Sequence, residues 1–191
     1  MNITTSNIHK QTIITGDNYK GLPLPKENSG YFATHLDSAL NTIDGAMGNS
    51  SRLIQTCFTL SFPLHVNPML EMYSSKSIGK FLKALQGWAI NVQNGRGVAI
   101  QRKAKIDYVW QKDVLESGKP VYRVMLLLNP EAYYHQGKPA DESTLLYRIQ
   151  MCWARVINQP ITVAAKLVNI SGKLVTLTGN DMDALINVFG K

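Results

Sequence analysis

The 191-residue chain has few of the residues that mark cross-linked or membrane-bound proteins. Its two cysteines, Cys57 and Cys152, lie far apart in apolar segments, so we expect reduced core thiols rather than a disulfide framework. No apolar run approaches the roughly 18 residues of a membrane span, and no apolar signal core begins the chain. We therefore expect a cytoplasmic protein that does not bind membranes.

Recognisable cofactor and catalytic motifs are also missing. The four histidines are His9, His35, His65 and His135. No two of them have the spacing of metal ligands. The chain contains no glycine-rich phosphate loop of either common type, and no Ser-His-Asp or Cys-His arrangement with a known local motif. The residues alone therefore predict no metal and no cofactor.

Acidic residues are scarce, since 13 Asp and Glu stand against 20 Lys and Arg, which gives a net charge of +7. That excess favours an anionic partner. The candidate contacts to nucleic acid or to an acidic partner are Lys76, Lys80, Lys83, Arg96, Arg102, Lys103, Lys105 and Arg123. Two interpretations stay open: solvated surface charges, or a groove for a sugar-phosphate backbone. Tyr108, Trp110 and Tyr122 are either core residues or platforms for base stacking.

Hydrophobic periodicity and turn residues predict the order of the elements. Helices are expected at residues 32–47, 76–92, 141–158 and 181–189, and strands at 53–62, 103–111, 121–128, 163–170 and 173–177. Asp141 or Ser143 is the expected cap of the third helix. A helix followed by βαββαβ is typical of an α+β fold with a split βαβ arrangement, in which an antiparallel sheet carries its helices on one face. We expect a partly disordered arm with one helix over residues 1–50, and the α+β domain over 51–191.

Three segments carry a resemblance to a known family. They are residues 51–67 (SRLIQTCFTLSFPLHVN), 105–111 (KIDYVWQ) and 121–134 (VYRVMLLLNPEAYY). They resemble the YagK/YfjJ C-terminal-domain family, the inovirus-type replication proteins of prophages and other mobile elements. The predicted helix around Trp153 also lies where that family has one. The resemblance covers roughly residues 51–191 and implies a replication-initiator fold.

The family in turn resembles the HUH endonucleases, which nick single-stranded DNA. Their chemistry needs two histidines at i and i+2 of a central strand, because that spacing puts both imidazoles on one sheet face to hold a metal. A tyrosine then attacks the scissile phosphate. Here the corresponding string reads Val121-Tyr122-Arg123. Valine has no donor atom and arginine repels a cation, so positions 121 and 123 form a degenerate metal site.

The resemblance places the tyrosine nucleophile in a segment beyond the last predicted helix, and this chain ends at Lys191 before such a segment. We therefore expect no catalytic residues and no nuclease activity. Arg123 lies in a largely apolar strand, so it is expected either to contact a phosphate or to pair with Asp107 across the hairpin.

Three functions remain in competition at this point. The first is a nuclease-dead homologue of a rolling-circle initiator that binds single-stranded or hairpin DNA as a regulatory or accessory protein of a prophage or mobile element. The second is a viral or mobile-element protein that inhibits a host defence complex by binding an acidic host protein. The third is an enzyme whose chemistry the motifs do not show.

Overall fold

The computed structural model describes residues 3–5, 12–24, 30–63, 75–95, 105–130 and 144–178. Residue contacts divide the chain into two compact units. The first unit comprises residues 1–53 together with 177–191, and the second comprises residues 54–176.

The first unit contains short strands followed by a long helix. Its elements are β1 (Ile3–Thr5), β2 (Thr12–Ile14), β3 (Asn18–Tyr19), β4 (Leu22–Pro23), β5 (Tyr31–Phe32) and α1 (Ala33–Asn49). Strands β1, β2 and β5 form one sheet, and β3 pairs with β4. Sequence reasoning predicted the helix but none of these strands, because strands of two or three residues are too short to show a period.

A small apolar cluster holds the first unit together. Ile14, Tyr19, Leu24 and Leu36 are buried in it, so the strands pack against the start of α1. Lys20 and Gly21 form the turn between β3 and β4 with φ angles of 51° and 85°. Positive φ at both central residues is the geometry of a tight hairpin turn, which explains the glycine.

The second unit is built around a four-stranded sheet. Its elements are β6 (Arg52–Leu60), α2 (Ser75–Gly95), β7 (Asp107–Val114), β8 (Pro120–Leu128), α3 (Leu145–Ile157), α4 (Ile161–Ala164) and β9 (Val168–Thr178). The strand order is β7-β8-β6-β9. The predicted α+β class and the βαββαβ order are confirmed.

Strand pairing shows the split βαβ arrangement directly. β8 is antiparallel to both β6 and β7, with Val124 opposite Phe58 on one side and Trp110 on the other. β6 and β7 are therefore parallel, and β8 lies between them. The amide of Ser61, just after β6, donates to the carbonyl of Leu167, just before β9. β9 therefore runs antiparallel to β6.

Both long helices pack on the same face of this sheet. Alternate residues of β8, Tyr122 among them, share one buried cluster with Phe81 of α2 and Trp153 of α3. The indole nitrogen of Trp153 donates to the carbonyl of Ser61 at 2.9 Å. The ring of Trp153 meets those of Phe62, Phe81 and Tyr122 edge to face. An aromatic cluster therefore fixes α3 to the sheet.

The structure corrects the predicted end of the sheet. Residues 163–170 and 173–177 were expected to be two strands around Ser171-Gly172, but a single strand, β9, runs through both residues. Val163 lies instead in the short helix α4, which Pro160 precedes with φ −57°. Proline is preorganised for a helix start, whereas the β-branched residues there had suggested a strand. The predicted helix at 181–189 lies outside the described residues.

Two further boundaries differ from the prediction. β7 occupies Asp107–Val114 rather than residues 103–111, because the turn at Gly118 (φ 75°) sets where the hairpin strands end. The N-cap of α3 is Thr144, whose hydroxyl accepts a hydrogen bond from the amide of Tyr147 at 3.3 Å. A hydroxyl at the cap satisfies an amide that the helix leaves without a partner.

Candidate nucleic-acid interface

Val121 and Arg123, which the resemblance predicts to be a degenerate metal site, lie on β8. Val121 and Arg123 share one sheet face because strand side chains alternate, and Tyr122 between them is fully buried on the helix face. The face of Val121 and Arg123 is thus opposite to the one that α2 and α3 cover. Farther along this face, Met125 and Leu127 are buried, so only the end near Arg123 is accessible to a ligand.

Arg123 forms an ion pair with Asp113 on the neighbouring strand. Its Nε lies 2.6 Å from the Oδ2 atom of Asp113, and each side chain is 29% exposed. Gln111, directly opposite Arg123, donates to Oδ1 of Asp113 at 3.1 Å. Asp113 therefore forms an ion pair with Arg123 and accepts a hydrogen bond from Gln111, where the resemblance implied metal ligands.

The expected pairing of Arg123 with Asp107 is wrong. Asp107 lies opposite Leu127, four residues along β8 from Arg123, which corresponds to about 13 Å at the rise of a strand. Asp107 pairs instead with Lys105, whose Nζ is 2.7 Å from its Oδ1. The register of the hairpin, which residue types do not reveal, decides between the two carboxylates.

The chemistry available at this end of β8 is that of an ion pair rather than a metal centre. Valine offers no ligand atom, and the guanidinium of Arg123 already occupies the nearby carboxylate of Asp113. Among the residues that the structure describes, no three His, Cys, Asp or Glu side chains are grouped so that they could hold a metal ion.

Removing the cation of this pair tests its structural role. We expect Arg123→Met, which keeps an apolar stem, to lower the free energy of unfolding by about 1–2 kcal/mol, because the partly buried carboxylate of Asp113 loses its charge partner. The double variant Arg123→Met/Asp113→Asn should recover part of that loss. Chemical denaturation measures both.

The matched control is Lys105→Met at the other ion pair of the hairpin. The Lys105 side chain is 62% exposed, and pairs this exposed contribute well under 1 kcal/mol. An equal loss of stability in Arg123→Met and Lys105→Met would contradict a special role for the Arg123–Asp113 pair.

Helix α2 carries a stripe of lysines on its solvent side. Lys76, Lys80 and Lys83 are exposed and recur at helical spacing. The apolar residues Ile78, Phe81, Leu82, Leu85 and Ala89 are buried. The stripe spans about 10 Å along the axis, at 1.5 Å per residue. Neither Lys80 nor Lys83 makes a salt bridge to a described acidic residue.

The neighbouring helix α3 adds two arginines. α3 packs against α2, and the guanidinium of Arg148 lies 5.7 Å from the ring centre of Trp88 on α2 and 5.9 Å from that of Tyr147. Arg155 is exposed one heptad further on. We refer to Lys76, Lys80, Lys83, Arg148 and Arg155 together as the cationic helix surface.

This surface has charge of one sign only. Neither α2 nor α3 contains an aspartate or glutamate. In the described part of the second unit the acidic residues are Asp107, Asp113 and Glu116, all on β7 or the turn after it. Among the described residues the helix layer therefore carries an excess of positive charge, which favours anions.

The other candidate contacts are distributed differently. Arg96, Arg102 and Lys103 lie outside the described residues, Lys105 pairs with Asp107, and Arg123 pairs with Asp113. Of the proposed basic residues the structure thus brings together the three lysines of α2. Sequence reasoning did not include Arg148 and Arg155 in the site. The signal that would have found them is the absence of acidic residues from both helices.

The three aromatic residues considered as stacking platforms differ in exposure. Tyr122 belongs to the core, whereas Tyr108 and Trp110 are 40% and 36% exposed on β7. Burial raises the pKa of the Tyr122 hydroxyl above its ordinary value. Tyr122 is therefore unavailable for stacking on a base, and Tyr108 and Trp110 remain accessible.

Comparison with known proteins identifies the family of this chain. The family model of the YagK/YfjJ C-terminal domain matches residues 14–188. The chain belongs to the YagK/YfjJ C-terminal domain family. The match begins well before residue 51, where the resemblance was first apparent, so β3 to β5 and α1 are part of the family pattern. The YagK/YfjJ model therefore covers nearly all the described residues.

A curated relative supports the same assignment. The chain is similar to the uncharacterized protein YfjJ of Escherichia coli (strain K12), with 28% identity over 112 residues. That alignment covers 54% of this chain and 52% of YfjJ, so the chain spans about half the length of the relative that it matches. No solved structure matches the chain. Within the described residues, no helix is both long and apolar enough to span a membrane.

Proposed function

We propose that this YagK/YfjJ-family protein binds DNA through the cationic helix surface, as a regulatory or accessory protein of a prophage or other mobile element. One observation carries the proposal: two packed helices bear five cations and no carboxylate. Each lysine or arginine that neutralises a phosphate releases condensed counterions, which drives binding without a sequence-specific contact. Exposed lysines on α2 suit this role because their ammonium groups reach outward.

The same proposal holds that the protein does not nick DNA. The position where an initiator of the HUH type needs two histidines has Val121 and the ion-paired Arg123. Without a metal, the scissile phosphate has no Lewis acid to stabilise the developing charge at this site. A nicking assay with magnesium or manganese on single-stranded and supercoiled DNA addresses this half of the proposal. Nicking that is lost on changing one tyrosine would overturn it.

Binding is tested by titrating single-stranded, hairpin and duplex DNA at several salt concentrations. If three to five of the cations each neutralise one phosphate, the logarithm of the binding constant for single strands should fall with that of the salt concentration with a slope between about −2 and −3.5. Absence of salt-sensitive binding to all three DNAs would contradict the proposal. The inhibitor role would be favoured instead if the protein binds none of the DNAs and forms a stable complex with an acidic host protein that survives nuclease treatment.

A further inference from the structure

The exposed apolar side chains of the described residues are concentrated on one strand. Among the described residues six large hydrophobic side chains are exposed. Four of them lie on β7 or directly after it: Tyr108, Trp110, Val114 and Leu115. Tyr108, Trp110 and Val114 stand opposite residues of the buried face of β8. These side chains therefore lie on the same sheet face as α2 and α3, but at an edge that the two helices leave exposed.

β7 is also the edge of the sheet. It pairs with β8 on one side, and no strand of the described residues pairs with its other side. Edge strands are usually protected from further pairing by bulges, prolines, charged side chains or short length. β7 is eight residues long with regular alternation of exposure, and it contains neither proline nor glycine; its charged residues, Asp107, Lys112 and Asp113, are of both signs. Such an edge is a template for another strand.

The charge of this hairpin differs from that of the helices. Residues 105–119 contain three lysines, at 105, 112 and 119, and three acids, at 107, 113 and 116, so the segment is neutral within a protein of charge +7. A segment with no net charge and two exposed aromatic residues has no strong electrostatic preference for nucleic acid, and it does not repel a copy of itself. The pattern thus favours a partner of the same composition.

The residues of β7 are complementary to a second β7 in one antiparallel register. When Val109 of each copy faces Val109 of the other, Tyr108 stands opposite Trp110 twice. Lys105, two residues before β7, stands opposite Asp113 twice, and each can keep its own ion pair within its copy. Cross-strand aromatic pairs and opposite charges each stabilise such pairing by about 0.2–1 kcal/mol. In this register odd-numbered residues face odd-numbered ones and even-numbered residues face even-numbered ones. The helix-covered face of one copy therefore continues into the helix-covered face of the other.

We infer that two copies of this chain associate through β7, antiparallel and centred on Val109, to form one continuous eight-stranded sheet. The two-fold axis is then perpendicular to the sheet, so both helix layers lie on the same side. The two cationic helix surfaces would face one DNA molecule together. The association is inferred from the edge strand alone and does not depend on DNA binding. If the protein binds DNA as proposed, the dimer should bind it more tightly.

Light scattering and sedimentation of the full chain over a wide range of protein concentration test the association. We expect the mass to approach twice the 21.2 kDa of the monomer. Tyr108→Lys and Trp110→Lys, each placing a charge on the edge, should shift the mass to that of the monomer. Circular dichroism melts show that each variant is folded, and Tyr108→Lys leaves the contact between Trp110 and Tyr122 in place.

The matched control is Val175→Lys, which changes an exposed residue (45%) on the opposite edge strand β9. It should remain dimeric. A wild-type protein that is monomeric at every concentration overturns the inference. Dimers that persist in both β7 variants also overturn it, and dimers lost only in Val175→Lys would move the interface to β9.

A cross-link tests the register. Val109→Cys should form an intermolecular disulfide under mild oxidation, because directly opposite residues of antiparallel strands lie within disulfide reach. Gln111→Cys, which would face residue 107 of the other copy, is the control and should not. The wild-type chain, oxidised in the same way, controls for the native thiols, since burial raises the pKa of Cys57 and raises that of Cys152 to about 11. Efficient linking at 111 instead of 109 would contradict the register.

Discussion

Reversing two charges on α2, Lys80→Glu with Lys83→Glu, is expected to weaken DNA binding roughly a hundredfold at low salt. Both side chains are exposed and make no salt bridge to a described acidic residue, so both are accessible to phosphate. Each lost phosphate contact should also reduce the salt slope for single strands by about 0.7. Because phosphate contacts do not read sequence, the loss should be similar for DNAs of different sequence.

The control for this experiment must change the net charge equally elsewhere. Lys20→Glu with Arg52→Glu also lowers the charge of +7 by four units, and both residues are exposed outside α2 and α3. Lys20 forms an exposed pair with Asp37, which contributes little to stability. An equal loss of affinity in both double variants would mean that net charge, rather than the cationic helix surface, governs binding.

Replacing the central tryptophan, Trp153→Ala, is expected to lower the free energy of unfolding by about 3–5 kcal/mol. Trp153 is fully buried in the core of the second unit. Its removal leaves a cavity between α3 and the sheet, and it leaves the Ser61 carbonyl without the hydrogen bond that the indole donates. That loss is a large fraction of the stability of a typical domain, so partial unfolding at ordinary temperature is expected.

Two companion variants separate the causes of this loss. Trp153→Phe keeps an aromatic ring but removes the donor, so it should cost about 1–3 kcal/mol. Trp88→Ala removes an indole of the same size from a half-buried position beside Arg148, and we expect a clearly smaller loss than for Trp153→Ala. Chemical denaturation followed by circular dichroism measures all three. Equal losses at positions 88 and 153 would contradict the central role of Trp153.

Periodicity was a sound guide where an element is long and half-buried. The buried face of α2 is visible in the residue types because the helix separates the core from solvent over several turns. The apolar run of β8 is visible because a central strand is buried on both faces. The same reasoning failed at α4 and β9. There, β-branched residues in a four-residue helix suggested a strand, and Ser171-Gly172 suggested a turn inside a continuous strand. Such short signals are overridden by tertiary contacts.

Sequence reasoning likewise predicted one part of the candidate site and missed another. The sequence predicted the lysine stripe of α2, because helical spacing alone places Lys76, Lys80 and Lys83 on one side. It did not place the arginines of α3 with them, since that depends on how two helices pack. The carboxylate that binds Arg123 was likewise missed. Asp107 and Asp113 lie on the same strand, and only the register of β7 against β8 distinguishes them.

The sequence by itself determined the α+β class, the order βαββαβ, the residues Val121 and Arg123 on either side of Tyr122, and the cationic character of the chain. These are properties of residue type and local spacing, which the chain carries before it folds. Tertiary structure alone decided that Asp113 neutralises Arg123, that α2 and α3 share a surface without acidic residues, and that β7 lies at an edge. Each of these depends on strand register or helix packing, which bring distant residues together.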